Sequence, residues 1–225
     1  MPEFGKAFVG ARRRFASLCT DLSIEELDEK VPACPDWSVK DLLAHVVGIT
    51  SDVVSGNVEG VGSDEWTSKQ IAARRDHGVE QLVAEWDSIA PMVESAIDSI
   101  PKWMAGVIVG DLVTHEHDLR GAIRVPGARD SSGVAVALDT YARFFGRRIK
   151  DRDLPALDVR AGDHSWRLGN GEPQASVAGA PFEVLRGLTG RRTLDEVRAL
   201  GWSGDPEPYV GIFSMYGVPE QSLKE

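Results

Sequence analysis

Gly110-Asp111-Leu112-Val113-Thr114-His115-Glu116-His117-Asp118-Leu119-Arg120 is the stretch that decides how this chain folds and what it can hold. Asp111 and His115 are four residues apart and Asp118 follows three further on, so on a helix all three project from nearly one face. Asp111 lies beside Val107, Ile108 and Leu112, a setting in which a carboxylate costs several kcal/mol unless it is paired or bound to a cation. His117 turns roughly 160° from His115 and cannot share its ligand. Far upstream, Asp41-Leu42-Leu43-Ala44-His45-Val46-Val47 sets a second histidine in the apolar stripe of another helix. Alone, His45 reads as a hydrogen-bonded core residue, and Asp111 with His115 as an ordinary helical pair. Facing each other, the two helices bring two imidazoles and a carboxylate together inside a bundle. That donor set suits zinc or another borderline divalent metal and leaves positions for exchangeable ligands. Asp118 can orient His115, ligate the metal or bond to a neighbouring helix.

Outward from this stretch the first two-thirds of the chain reads as helix. Phe4, Phe8, Phe15, Leu18 and Leu22 recur at helical spacing over residues 3–21. Pro32 and Pro35 interrupt, and Asp36-Trp37-Ser38 starts the next helix, with Ser38 as N-cap and Asp41 in the box position. That helix runs to Gly56-Asn57. A long polar-faced pattern covers residues 65–99 with a break near Gly78, and Pro101 opens the helix that carries Asp111 and His115 to about Ile123. After a Pro, Gly and Ser loop, a further helix spans Val134 to Lys150. Helices of this length with modest connections predict a four-helix bundle.

From Asp153 onward the period changes. Leu157–Arg160 and Trp166–Leu168 alternate around Gly162-Asp163-His164, a hairpin signal, and 174–178 reads as a third strand. Pro181 starts a short helix, and Thr193 with Glu196 caps another. The expected architecture is therefore α+β: a helical bundle over 1–151 and a small α/β domain over 152–225.

Composition narrows the function. A chain of 225 residues with 42% hydrophobic and 27% charged residues belongs to the ordinary globular class. A net charge of −10 argues against a nucleic-acid backbone as partner. The basic run Arg12-Arg13-Arg14 reads as a solvated helix face. No apolar run reaches the roughly 20 residues of a membrane span, and no leader pattern is visible, which predicts a cytoplasmic protein. Cys19 and Cys34 lack metal-ligand spacing, and Cys19 falls on an apolar face with Phe15 and Leu18. His77 and His164 fall at turns and receive no role.

Cys34-Pro35-Asp36-Trp37-Ser38-Val39-Lys40-Asp41-Leu42-Leu43-Ala44-His45 and Asp111–Leu119 together resemble the two metal motifs of the actinobacterial mycothiol-dependent maleylpyruvate isomerase family, part of the wider DinB-like metalloenzymes. Phe182–Arg192 and Ala199–Asp205 are similar to that family's second domain. The resemblance implies a DinB-like four-helix bundle with a divalent metal, usually zinc, held by His45, Asp111 and His115. It also implies a sterol-carrier-like C-terminal domain, and mycothiol as thiol cosubstrate. Aspartate stands at 111 where the family pattern has glutamate, and histidine at 117 where an aromatic residue is common. Arg191 and Arg192 are either structural arginines near a helix N-terminus or, as the resemblance implies, catalytic anchors for a carboxylate substrate or the thiol; Arg74 and Arg75 could serve similarly.

These readings predict a metal- and thiol-dependent isomerase or S-transferase acting on a small electrophile, as a monomer or homodimer. A metal-coordinated thiol is deprotonated at neutral pH, so no protein cysteine is required. Two rivals are a non-catalytic metal-stabilised ligand-binding or regulatory module, and hydrolysis of a thiol conjugate by metal-bound water.

Overall fold

A computed structural model describes residues 4–223 and Glu225. In chain order its elements are α1 (Phe4–Thr20), α2 (Ile24–Asp28), β1 (Lys30–Val31), β2 (Cys34–Ser38), α3 (Val39–Ser55), α4 (Asp64–Ala73), α5 (Val79–Ala96), α6 (Lys102–Ala122) and α7 (Ser132–Asp151). They continue with β3 (Pro155–Ala161), β4 (His164–Leu168), β5 (Asn170–Gly179), α8 (Pro181–Leu188), α9 (Leu194–Arg198), β6 (Gly201–Ser203) and α10 (Glu207–Phe213). The chain forms two compact units that divide between Gly127 and Ala128, and among the described residues no helix is long and apolar enough to cross a membrane.

In the first unit α1, α3, α5 and α6 pack on one another as the expected bundle. Phe8, Phe15, Leu42, Leu43, Val47, Leu82, Trp86, Val109 and Val113 are buried between them. The Phe15 and Trp86 rings meet edge to face at 5.8 Å, and the Trp86 indole N–H donates to Thr50 Oγ1 at 2.9 Å, so the largest core side chain leaves no polar atom unpaired. Ser38 caps α3 by accepting from the Asp41 N–H, and Asp41 accepts from the Ser38 N–H in return, as anticipated. Gly56 ends the helix in the left-handed conformation. The residues just before the cap are not helical: Cys34–Ser38 pairs antiparallel with Lys30–Val31 as a short ribbon. The pattern at 65–99 is two helices, α4 and α5, separated at 74–78.

The basic run in α1 corrects the expectation of a solvated face. Only Arg13 is exposed. Arg12 is buried and pairs with Asp87 at 2.5 Å and Glu94 at 3.2 Å, while Arg14 meets both oxygens of Glu116 at 2.7 Å.

In the second unit α7, expected with the bundle over 1–151, packs on α8 and β4 and is grouped with the C-terminal residues. The apolar stripe of α7 (Val134, Leu138, Tyr141, Phe145, Ile149) is buried, the Phe145 and Phe213 rings meet at a tilt with centroids 4.9 Å apart, and Trp166 donates to Asp139 at 2.9 Å. The sheet order is β4-β3-β5-β6. β3 and β4 form the anticipated hairpin, and β5 runs parallel to β3 on its other side. The chain must therefore cross the start of β3 between β4 and β5. Gly169 makes that crossing at φ +96°, and a Cβ there would lie 2.8 Å from Ile149 and 3.0 Å from the Ala156 Cα. Thr193 and Glu196 form the expected capping box of α9.

Candidate functional site

The first unit's unusual helix is α6. Thr114, His115, Glu116, His117 and Asp118 are five consecutive polar residues, all buried, and each buried polar group must find a partner inside. Thr114 returns its hydroxyl to the Gly110 carbonyl at 2.7 Å. Glu116, fully buried, is held by Arg14 and by Arg120 at 3.1 Å. Asp118 accepts from His115 Nδ1 at 3.0 Å. The i,i+3 spacing thus places Asp118 behind the imidazole, and His115 Nε2 faces Asp111 Oδ1 at 3.6 Å on the other side.

His45 comes from α3. Its ring lies 5.0 Å from that of His115, nearly perpendicular to it. Trp37, at the end of β2, covers both imidazoles at 4.7 and 5.9 Å. His45 Nδ1 meets Gln70 Oε1 of α4 at 2.9 Å, leaving Nε2 for a ligand. One donor atom from each of His45, Asp111 and His115 lies within 4.8 Å of the others. The structure therefore brings together the three residues expected to hold a metal.

The electrostatics match. Burial, reinforced by the neighbouring His115 charge, pushes His45 down to about 4, so this imidazole is neutral and ready to ligate. For His115 burial acts in the same direction but is overcome, chiefly by the Asp111 charge and then by the bonds to Asp118 and Cys34, and the group rises to about 10. Two carboxylates around one imidazole call for a positive charge at this point, which a divalent cation would supply. Two nitrogens and one carboxylate fit such a cation. Both histidines also have their second nitrogen fixed by a partner, the arrangement that orients metal ligands.

The remaining candidates fall elsewhere. Arg191 and Arg192 lie in the second unit. Arg191 is buried, donates to the Thr189 carbonyl at 2.5 Å and lies 6.0 Å from the Tyr216 ring. Arg192 pairs with Glu183 at 2.7 and 3.2 Å. Arg74 is engaged with Glu85 through two nitrogens, while Arg75 is exposed. Cys34 approaches Asp118 at 3.9 Å and can join His115 and Asp118 in a second cluster, a neighbour that the sequence spacing did not reveal. Gln70 was missed too. A single glutamine in a weakly amphipathic helix carries no periodic signal, and only the packing of α4 on α3 brings it to His45.

Taken together, a helical bundle with an open site of two histidines and one carboxylate, followed by a small α/β unit, defines the class of protein. The chain belongs to the mycothiol maleylpyruvate isomerase family: the model of that family's N-terminal domain matches residues 8–125, just over half of its length. Two solved structures share the fold. A crystal structure of a point mutant of the mycothiol-dependent maleylpyruvate isomerase aligns with a TM-score of 0.59 at 13% identity, covering 89% of this chain and 92% of that one. A second crystal structure of that isomerase gives 0.53 at 13% identity over 84% and 88%. No protein of curated function matches this sequence.

Proposed function

We propose that this protein is a zinc-dependent enzyme that uses mycothiol to isomerise, or to transfer the thiol to, a small electrophilic substrate bearing a carboxylate. The observation that carries the reading is the convergence of His45, Asp111 and His115 within 4.8 Å, inside the domain by which the family is recognised. When bound, the metal supplies Lewis acidity, which holds a thiol as its thiolate at neutral pH. The protein's own contribution is orientation. Gln70 and Asp118 fix the two rings, Trp37 shields one side, and Asp111, with its side chain 28% exposed, forms the open edge.

Isomerisation follows from the chemistry of a conjugated double bond. The thiolate sulfur adds to one carbon, the electron pair moves onto the substrate's carbonyl oxygen, the single bond that remains rotates, and expulsion of the thiolate restores the double bond in the other geometry. No proton or electron is consumed overall. Transfer is the same first step followed by protonation of the adduct. We assign the anchoring of the substrate's carboxylate to Arg191 or Arg192, whose planar guanidinium suits bidentate recognition. Arg192 already shares its fork with Glu183. The non-catalytic alternative is not favoured, because a structural site gains nothing from an open edge.

Metal content and turnover test this together. One equivalent of zinc is expected in the wild type and none in His45→Ala. Activity toward a cis-unsaturated keto acid should require mycothiol. Full zinc occupancy with no dependence on the thiol would overturn the reading, and thiol-independent hydrolysis of a conjugate would replace it. Arg191→Met and Arg192→Met are expected to raise KM for the carboxylate substrate while zinc content stays at one.

A further inference from the structure

The face of α3 that carries His45 also carries Gly48 and Asp52, three and seven residues on. Gln70 reaches this face from α4. Its Oε1 lies 2.9 Å from His45 Nδ1 and its Nε2 lies 2.7 Å from Asp52 Oδ2. Gln70 is buried; Asp52 is half-exposed at the wall of a cavity of about 740 Å³ and accepts a second bond from Asn57 Nδ2 at 2.9 Å.

We infer that Asp52 and Gln70 are positioning residues that select the tautomer of His45: Asp52 fixes the direction of the Gln70 carboxamide, and the carboxamide fixes the proton on Nδ1. A carboxamide can face a histidine with either end, because it offers a carbonyl acceptor on one side and an NH₂ donor on the other. An ionised carboxylate only accepts. Asp52 therefore binds the NH₂ end and leaves the carbonyl toward His45. A carbonyl only accepts, so His45 Nδ1 must carry the hydrogen and Nε2 must present its lone pair. The logic is the same as for His115, where Asp118 acts on Nδ1 directly. For His45 the carboxylate is set one amide further out. Its charge can stay hydrated beside the cavity, and the site gains an orienting bond without a third nearby anion.

This inference rests on the proposed metal site for its consequence but not for its test. Nitrogen-15 shifts of the His45 ring in the metal-free protein at pH 7 report the tautomer directly, and zinc competition titration reports affinity. In the wild type the Nδ1–H form should predominate. In Gln70→Leu and in Asp52→Leu the ring should move toward Nε2–H or a mixture, with zinc affinity falling about 10- to 100-fold, the usual loss when a histidine ligand's orienting partner is removed. Asp52→Asn can turn its amide oxygen toward Gln70 and should restore both readouts. A merely structural role would lower the melting temperature without moving the ring shifts. If both leucine variants fold but keep the Nδ1–H tautomer and bind zinc within twofold of wild type, the inference is overturned. Should Gln70→Leu fail to fold, Asp52→Leu at its half-exposed position carries the test. If the wild type binds no zinc, the metal-site reading fails, while the tautomer still decides the role of Asp52 and Gln70.

Discussion

At the level of single residues the site opens at Asp111. His45 and His115 are 4% and 7% exposed, whereas Asp111 retains contact with solvent, so under the proposed metal site exchangeable ligands would enter along its carboxylate. Asp111→Glu adds one methylene and reaches the same edge with another rotamer; zinc affinity should stay within about tenfold of wild type. Asp111→Ala removes a proposed ligand outright and should weaken zinc by more than the roughly 100-fold upper range for loss of an orienting partner, measurable in the same titration. Cys19 gives a second residue-scale prediction. Burial pushes its thiol up to about 12, so at pH 8 only about one molecule in 10,000 is thiolate, and the thiolate is the reactive form. Iodoacetamide at pH 8 should leave Cys19 unmodified in the native protein and modify it once urea unfolds the chain. That Asp111 and His115 share one helix face and that His45 faces the interior could be read from sequence, because helical spacing aligns the first pair and because a histidine in the Leu42–Val47 stripe must face the core. Asp52 and Gln70 could not. Their roles depend on which helix packs against which, and polar residues in short amphipathic helices are common.

Helix α3 shows how an element can be shaped by its neighbour rather than by its own propensity. Alanine is favoured over glycine within a helix by about 1 kcal/mol, yet Gly48 sits in the middle of α3. A Cβ at this position would lie 2.5 Å from Gln70 Cβ and 2.8 Å from its Cγ, atoms next to the α4 backbone that cannot swing away. The missing side chain is the notch into which Gln70 fits. Gly48→Ala should therefore destabilise the protein despite its better propensity, by about 1–3 kcal/mol as for other overpacked sites. Zinc affinity should fall although Gly48 touches no ligand. Urea denaturation with and without zinc would show both effects, and a more stable variant would contradict the close approach of α4. Helix α6 makes the complementary point. Its spacing was legible, but the burial of all five residues from Thr114 to Asp118 was not, since consecutive polar residues on a helix give no sign of partners that come from other elements. One of the two partners of Glu116 is Arg14, from a run that composition alone assigns to solvent. The two strands before α3 were likewise hidden, because Cys34–Ser38 has no alternation of apolar and polar residues.

For the whole molecule, the helix at 132–151 decides where one unit ends. Its sequence is as good a bundle helix as any upstream, with an unbroken apolar stripe, and nothing in that stripe says whether it will meet helices or a sheet. Its packing on α8 and β4 places it with the second unit. Every proposed ligand and orienting group then falls on one side of the division: Trp37, His45, Asp52, Gln70, Asp111, His115 and Asp118 all precede Gly127. A protein truncated after residue 127 should therefore retain its helical content by circular dichroism. It should also bind one equivalent of zinc with an affinity within about threefold of the full chain, since the orienting contacts that govern affinity are all present. A cut after residue 151 should behave worse, because it exposes the stripe of Val134, Leu138, Tyr141, Phe145 and Ile149, which the second unit otherwise buries. An exposed apolar surface of that kind promotes association, so the longer fragment should aggregate at concentrations where the shorter one remains monodisperse by light scattering. Neither fragment contains Arg191 or Arg192, and neither should support mycothiol-dependent turnover if those arginines anchor the substrate. Turnover by the 1–127 fragment at the rate of the full chain would remove them from the mechanism while leaving the metal site intact.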